Sequence, residues 1–375
     1  MTEVACLSRL TLVVPTYKRQ DFALRLMDYW AGKGPEIIVL DGSPDPIAPV
    51  ALAKYPQSIR YFHKPIGLYE RLFASLDLIE TEFVALAADD EFYIPSAAAK
   101  CIKELDHEPA LVACCGRAIG FSCKSNSVMG KPVYPALADY SVDADNAEER
   151  LIQHMREYVP SLVYAVCRTD VWRKSFGYTL RNEFPFFAAG ELQFEMLMSY
   201  AGKSKVTPEL MWLRALGENV PTRGTDPSLD PAKTIPDWWA NSAYSDEHEK
   251  FLTIMAEGFS TFSNQSKEFN EYRKSVVKGI EVYLDCCEVH LNRSAAYLLR
   301  GIARRLVPER CKQPIKQVLY MVRLKKDFSN TSLIDGAKSL EVTGVYVDYD
   351  ELKNIESIIM NFHQNRADQK SVASI

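Results

Sequence analysis

The sequence predicts an α/β fold: a mostly parallel sheet with helices on both faces over residues 1–243, then a helical C-terminal domain over residues 244–375. Three observations carry this. Apolar runs of strand length alternate with amphipathic segments through the first half, the rhythm of βαβ units with right-handed crossovers. Three of those runs break into polar residues at their C-terminal ends: Val13-Val14-Pro15-Thr16-Tyr17-Lys18-Arg19, Ile38-Val39-Leu40-Asp41-Gly42-Ser43 and Ala85-Leu86-Ala87-Ala88-Asp89-Asp90-Glu91. Beyond about Ser245 strand patterns stop and long amphipathic segments follow.

The elements can be justified in order. Residues 9–14 read as a buried strand. From Gln20 to Trp30, Phe22, Leu24, Leu26, Met27 and Trp30 form a helical stripe. Strands follow at 36–40 and 58–62, with Pro44 and Pro46 marking the loop between them. Gly67 opens a helix that reaches about Ile79, and 82–87 is the strand that ends at the carboxylates. Pro95 suits the first turn of the next helix. A strand at 110–115 precedes a Gly-, Ser-, Asn- and Pro-rich stretch to Val142, read as a loop or short hairpin. Helix 147–158, capped by Asp145 or Asn146, strand 161–167, a short helix at 170–175, helix 191–200 and strand 210–213 complete the domain. Helical segments are expected at 247–262, 268–292, 294–306 and 314–326, with a weaker region to 366 and a frayed tail after it.

Composition bounds the function. A net charge of −5 argues against a general nucleic-acid binder. The nine cysteines include the adjacent pairs Cys114-Cys115 and Cys286-Cys287 and no Cys-x-x-Cys, so reduced thiols in a cytosol are expected rather than a disulfide framework or a zinc site. No secretory leader is read at the N-terminus, and no apolar run approaches the ~20 residues that span a bilayer. His107, His154 and His290 are isolated and read as surface or core histidines. Residues 300–326 carry nine basic residues against one acid, interleaved with apolar positions. This stretch is either a solvated helical face or a peripheral contact with an anionic membrane.

In an open α/β sheet, ligands bind outside the carboxyl ends of the strands. A Thr/Arg loop, an Asp-Gly-Ser turn and a carboxylate cluster therefore meet along one edge. Donors with paired carboxylates suit a phosphate-bearing ligand and a divalent metal. The order of these segments resembles the N-terminal half of the GT-A (Rossmann-like) glycosyltransferases, especially family 2. The similarity is good over roughly residues 8–120 and loose over 121–220.

The resemblance implies transfer of a sugar from a nucleotide-diphosphate sugar, UDP favoured, to a hydroxyl on a glycan or lipid-linked acceptor, with inversion and with Mg²⁺ or Mn²⁺. It implies metal ligation by Asp89 and Glu91, and donor contacts from Pro15, Thr16, Tyr17, Arg19, Asp41, Lys64, Arg71, Asp90 and Arg214. Asp41 would accept from a base N–H; Arg19 and Arg71 would reach the diphosphate. The usual Asp-x-Asp-Asp run has Ala87 at its first position here. Ala189-Gly190-Glu191-Leu192 resembles the Gly-Glu-Asp segment, with Leu192 in place of the Asp, which makes Glu191 the candidate general base. Glu195 reads as structural. Trp238-Trp239 could stack on an acceptor sugar or pack in a core. Expected partners are the nucleotide sugar and its acceptor, in the cytoplasm or at the inner membrane face. Two rivals stand beside this reading: a nucleotidyltransferase, which would want a Gly-rich loop after the first strand, and a catalytically inactive GT-A scaffold or carbohydrate-binding protein.

Overall fold

The computed structural model describes residues 2–124, 127–138, 140–181, 184, 187–216, 234–263, 267–292 and 331–373. Its centre is a ten-stranded mixed sheet with the path β3-β2-β1-β4-β9-β6-β10-β5, β7 pairing with β6 and β8 with β10. The strands are β1 (Leu10–Thr16), β2 (Glu36–Asp41), β3 (Ile59–His63), β4 (Phe83–Leu86), β5 (Phe92–Tyr93), β6 (Leu111–Lys124), β7 (Ser127–Pro132), β8 (Ser141–Val142), β9 (Val166–Arg168) and β10 (Lys203–Ala215). The run β3-β2-β1-β4 is parallel, as is β6 with β10. Strands β5, β7, β8 and β9 pair antiparallel, so the expected parallel character holds only in part. Register sets Thr16 beside Asp41 and Asp41 beside His63, which brings the polar ends of three strands together.

After the short α1 (Glu3–Leu7), helix α2 (Gln20–Trp30) follows β1, α3 (Pro49–Leu52) precedes β3, and α4 (Leu68–Ser75) starts after Gly67. Helix α5 (Pro95–His107) has its proline in the first turn, where a missing N–H costs nothing. Helix α6 (Ala147–Arg156) is capped by Asn146, whose side chain accepts from the Glu148 and Glu149 amides. Helices α7 (Thr169–Thr179) and α8 (Phe187–Ala201) complete the first half.

Two strands differ from expectation for physical reasons. β6 continues to Lys124 and turns into β7, because Gly116 and Gly120 serve close packing rather than a loop. A Cβ at Gly116 would lie 2.4 Å from Met211 Cβ and 2.6 Å from the Glu209 carbonyl oxygen, where β10 bulges against β6. The strand expected at 161–167 shrinks to Val166–Arg168. The amides of Leu162 and Val163 donate instead to the buried Glu195 carboxylate, at 3.0 and 2.9 Å.

The helices beyond residue 234 pack in two groups. Helices α9 (Ile235–Trp239), α10 (Ser245–Phe262) and α11 (Phe269–Asn292) form a second core with α6 and α8. Helices α12 (Leu333–Glu341) and α13 (Tyr349–Ala373) return to the sheet. Leu333, Leu340, Leu352, Ile355 and Ile359 belong to the sheet's own core. The Tyr346 carbonyl accepts from the Leu210 amide at 2.8 Å and its amide donates to the Pro208 carbonyl at 3.0 Å, filling the β10 bulge. The expected tail after Arg366 is helical to Ala373. The expected segments 294–306 and 314–326, and with them the basic stretch 300–326, lie outside the described residues. Among the described residues no helix is long and apolar enough to cross a membrane.

Candidate active site

The site grows from the ends of β1, β2 and β4. Thr16 closes β1, and its hydroxyl donates to Asp89 Oδ2 at 2.7 Å. The chain then turns through Lys18, whose φ of 54° is left-handed and whose amide donates to Ser43 Oγ at 2.8 Å. That turn delivers Arg19 to the start of α2. Its Nη1 lies 3.2 Å from Asp89 Oδ1 and its Nη2 2.7 Å from Asp90 Oδ2. The Arg19 guanidinium is also 4.3 Å from the centre of the Phe22 ring. Burial pushes the Asp89 carboxyl up, and the Arg19 guanidinium opposes that shift.

Asp41 is fully buried at the end of β2. Its Oδ1 accepts from the Ser43 amide at 2.8 Å, and its Oδ2 accepts from Gln20 Nε2 and from the Tyr61 hydroxyl, each at 2.6 Å. These partners hold the strand end together, so Asp41 is first a hub of the loop. Arg71 comes from α4 and is 1% exposed. It donates to the Ile66 carbonyl and lies where Gly42 has no side chain, since a Cβ there would be 1.5 Å from Arg71 Nη1. The Tyr17 ring centre is 6.0 Å from the same guanidinium. Lys64 donates its amide to the Asp41 carbonyl at 2.7 Å. Pro15 sits within β1 opposite Leu40.

Glu91 is not joined to Asp89 in a ligand cluster. Its Oε2 accepts from Trp212 Nε1 at 2.6 Å, beneath a stack in which Tyr134 and Tyr164 flank the Trp212 ring. Burial, and after it Asp90, raises the Glu91 carboxyl. Arg214, at the end of β10, lies over Tyr134 and Trp212 with its guanidinium 5.1 and 5.6 Å from the ring centres. Among the described residues, no group of three or more His, Cys, Asp and Glu could hold a metal. The chemistry of the remaining pair still suits a cation. Mg²⁺ and Mn²⁺ take one or two carboxylates plus phosphate and water oxygens. The oxygens of Asp89 and Asp90 already converge on one positive group, the Arg19 guanidinium.

Helix α8 brings the second carboxylate. Gly190 abuts α4 so closely that a Cβ would lie 2.3 Å from the Tyr69 hydroxyl. Glu191 follows it, half-buried, with the Tyr158 hydroxyl donating to Oε1 at 3.1 Å. Burial, and then the neighbouring Glu195, pushes the Glu191 carboxyl up to about 7. Burial raises the Tyr164 hydroxyl, and the charges of Glu91, Glu191, Asp90 and Glu195 add to that shift. Glu195 is wholly buried and bound: besides two amides it accepts from His154 Nε2 at 2.7 Å, and His154 Nδ1 lies 2.7 Å from the Tyr140 hydroxyl. Trp238 is core, 1% exposed, with its indole N–H on Glu247.

Gln20, Arg25, Tyr61 and Tyr158 support these groups and carry no motif of their own. Only the helical stripe around Gln20–Trp30 could have flagged Arg25, as a charge on a buried face.

Residues 11–152 match the model of glycosyl transferase family 2. No curated protein matches the sequence. Among solved structures, S. aureus TarS 1–349 aligns at 14% identity over 81% of this chain and 77% of that one, with a TM-score of 0.48. Its complex with UDP-GlcNAc aligns at 13% identity over the same shares, with a TM-score of 0.49. The Pyrobaculum calidifontis mannosyltransferase PcManGT, in complex with GDP-Man and Mn²⁺, aligns at 12% identity over 84% of this chain and 86% of that one, with a TM-score of 0.38.

Proposed function

We propose that the protein transfers a sugar from a nucleotide-diphosphate sugar, UDP favoured, to a hydroxyl of a glycan or lipid-linked acceptor, with inversion at the anomeric carbon. The observation that carries this is Glu191: a half-buried carboxylate, held by Tyr158 and pushed up to about 7. A base works best when its pKa lies near the working pH.

In the reaction, Glu191 takes the proton of the acceptor hydroxyl as its oxygen attacks the anomeric carbon. The bond from that carbon to the diphosphate oxygen breaks, and the electron pair leaves with the diphosphate. Attack opposite the leaving group inverts the centre. Arg71, and Arg19 beside the carboxylates, place guanidinium forks where phosphate oxygens need them. Thr16, Tyr17, Asp41 and Lys64 frame the nucleotide end; Arg214 closes the side next to Trp212. A divalent ion held by Asp89 and Asp90 would offset charge on the departing diphosphate. We place the reaction in the cytoplasm or at the inner membrane surface, a reading supported by free thiols at every described cysteine and by the basic stretch 300–326.

The test is a panel of UDP- and GDP-sugars with Mn²⁺, reading nucleotide binding by calorimetry and slow nucleotide release to water. The wild type should bind one nucleotide and release it from its sugar. Asp89→Asn should lose the Mn²⁺ dependence of binding while staying folded. A wild-type protein that binds no nucleotide overturns the reading.

A further inference from the structure

Helix α13 lies far outside the segment that matches the family model, yet it reaches the carboxylate turn. Phe362 packs on Phe22 with ring centres 4.7 Å apart. Arg25 is enclosed by three rings, its guanidinium 4.6 Å from the centre of Phe362, 4.8 Å from Phe92 and 4.9 Å from Phe22. It is 6% exposed, and its Nη2 donates to the Asp90 carbonyl at 3.0 Å. Arg366 pairs with Asp21 at 3.1 Å and lies 4.9 Å over the other part of Phe22. Phe22 in turn supports Arg19, the residue paired with Asp89 and Asp90.

This is a continuous set of contacts from the C-terminal helix to both the backbone and the side chains of the donor carboxylates. A guanidinium in an aromatic enclosure keeps its place only while the faces around it stay in place, because cation–π attraction acts within about 6 Å of the ring centre. Removing the Phe362 face opens the enclosure to water. The Arg25 hydrogen bond to the turn then competes with hydration.

We propose that Phe362 and Arg366 are positioning residues for the donor site, acting through Arg25 on the Asp90 backbone and through Phe22 on Arg19. The proposal rests on the donor-site reading above. It makes the site a composite of the N-terminal domain and α13.

The experiment uses the full chain and measures the UDP dissociation constant with Mn²⁺ by calorimetry, with GDP as a second probe, alongside the melting temperature. The variants are Phe362→Ala, Phe362→Tyr and Ile355→Ala, the last a core residue of the same helix two turns away. Phe362→Ala should weaken UDP by about 2- to 30-fold, the range of couplings carried through packed contacts. Phe362→Tyr restores the aromatic face and should bind like wild type. Ile355→Ala should lower the melting temperature and leave UDP affinity unchanged. If Phe362→Ala does not fold, Phe362→Leu, which keeps apolar bulk and removes the face, carries the same expectation. A folded Phe362→Ala or Phe362→Leu protein that binds as tightly as wild type overturns the proposal alone. So does an Ile355→Ala protein that loses as much affinity as Phe362→Ala. A wild type that binds neither UDP nor GDP overturns the donor-site reading and this proposal with it.

Discussion

Glu191 decides whether the site is a transferase centre or only a nucleotide cleft. Glu191→Gln keeps the shape and cannot accept a proton, so turnover should fall by about 10²–10⁴-fold while UDP binding stays put. Its carboxyl is pushed up to about 7, so kcat/KM should fall as pH drops below about 7. The Tyr158 hydrogen bond holds that value down. Tyr158→Phe should therefore move the acid limb of the profile to higher pH; a limb that stays fixed or moves down would refute the assignment. Gly42→Ala probes the opposite end of the cleft. The new methyl takes the place of Arg71 Nη1, and losing a charged hydrogen bond to phosphate should weaken UDP by roughly 10- to 100-fold, read by calorimetry. Most of these residues can be picked out in the sequence because each sits at the polar end of an apolar run. Tyr158 cannot, since one hydroxyl on a helix-loop junction looks the same wherever it points.

At the scale of elements, parallel strands and their helices follow from periodicity, and the bounds of α2 are those the stripe predicts. Misreadings cluster where tertiary contact overrides local pattern. Gly116 looks like loop chemistry and is instead the gap that lets β10 lie on β6. Gly116→Ala should destabilise by about 1–3 kcal/mol, the cost of overpacking, because the methyl meets backbone and a Cβ that cannot swing aside. Urea unfolding would read it, and an unchanged midpoint would show that the bulge relaxes freely. The apolar run 161–167 looks like a strand and is drawn off the ladder by Glu195, a side chain no window of sequence connects to it.

At the scale of the molecule, two cores share α8, whose Phe194 and Met198 face the sheet's core and whose Leu192, Met196 and Leu197 face the helical one, and the buried acids set the response to pH. Glu191, at about 7 in the folded state against 4.5 unfolded, contributes stability that is present below about pH 4.5 and lost as pH rises through 7. Glu91 is raised in the same sense. Glu104, held down to about 2 by Lys100 and Lys205, works the other way and adds stability as pH climbs toward 4.5. The ligand-free protein should therefore melt highest near pH 5 and progressively lower toward pH 8, which scanning fluorimetry across buffers measures; a melting point that rises over that span contradicts it. The return of α13 to the sheet also has a consequence for biosynthesis. Phe22, Arg25 and Phe92 emerge early from the ribosome, whereas Phe362 follows Tyr93 by 269 residues. At about 5–20 residues per second, that interval is about 13–54 s. Through that time the nascent sheet carries an aromatic-arginine face without its cover, a surface that a chaperone would see and the finished enzyme hides.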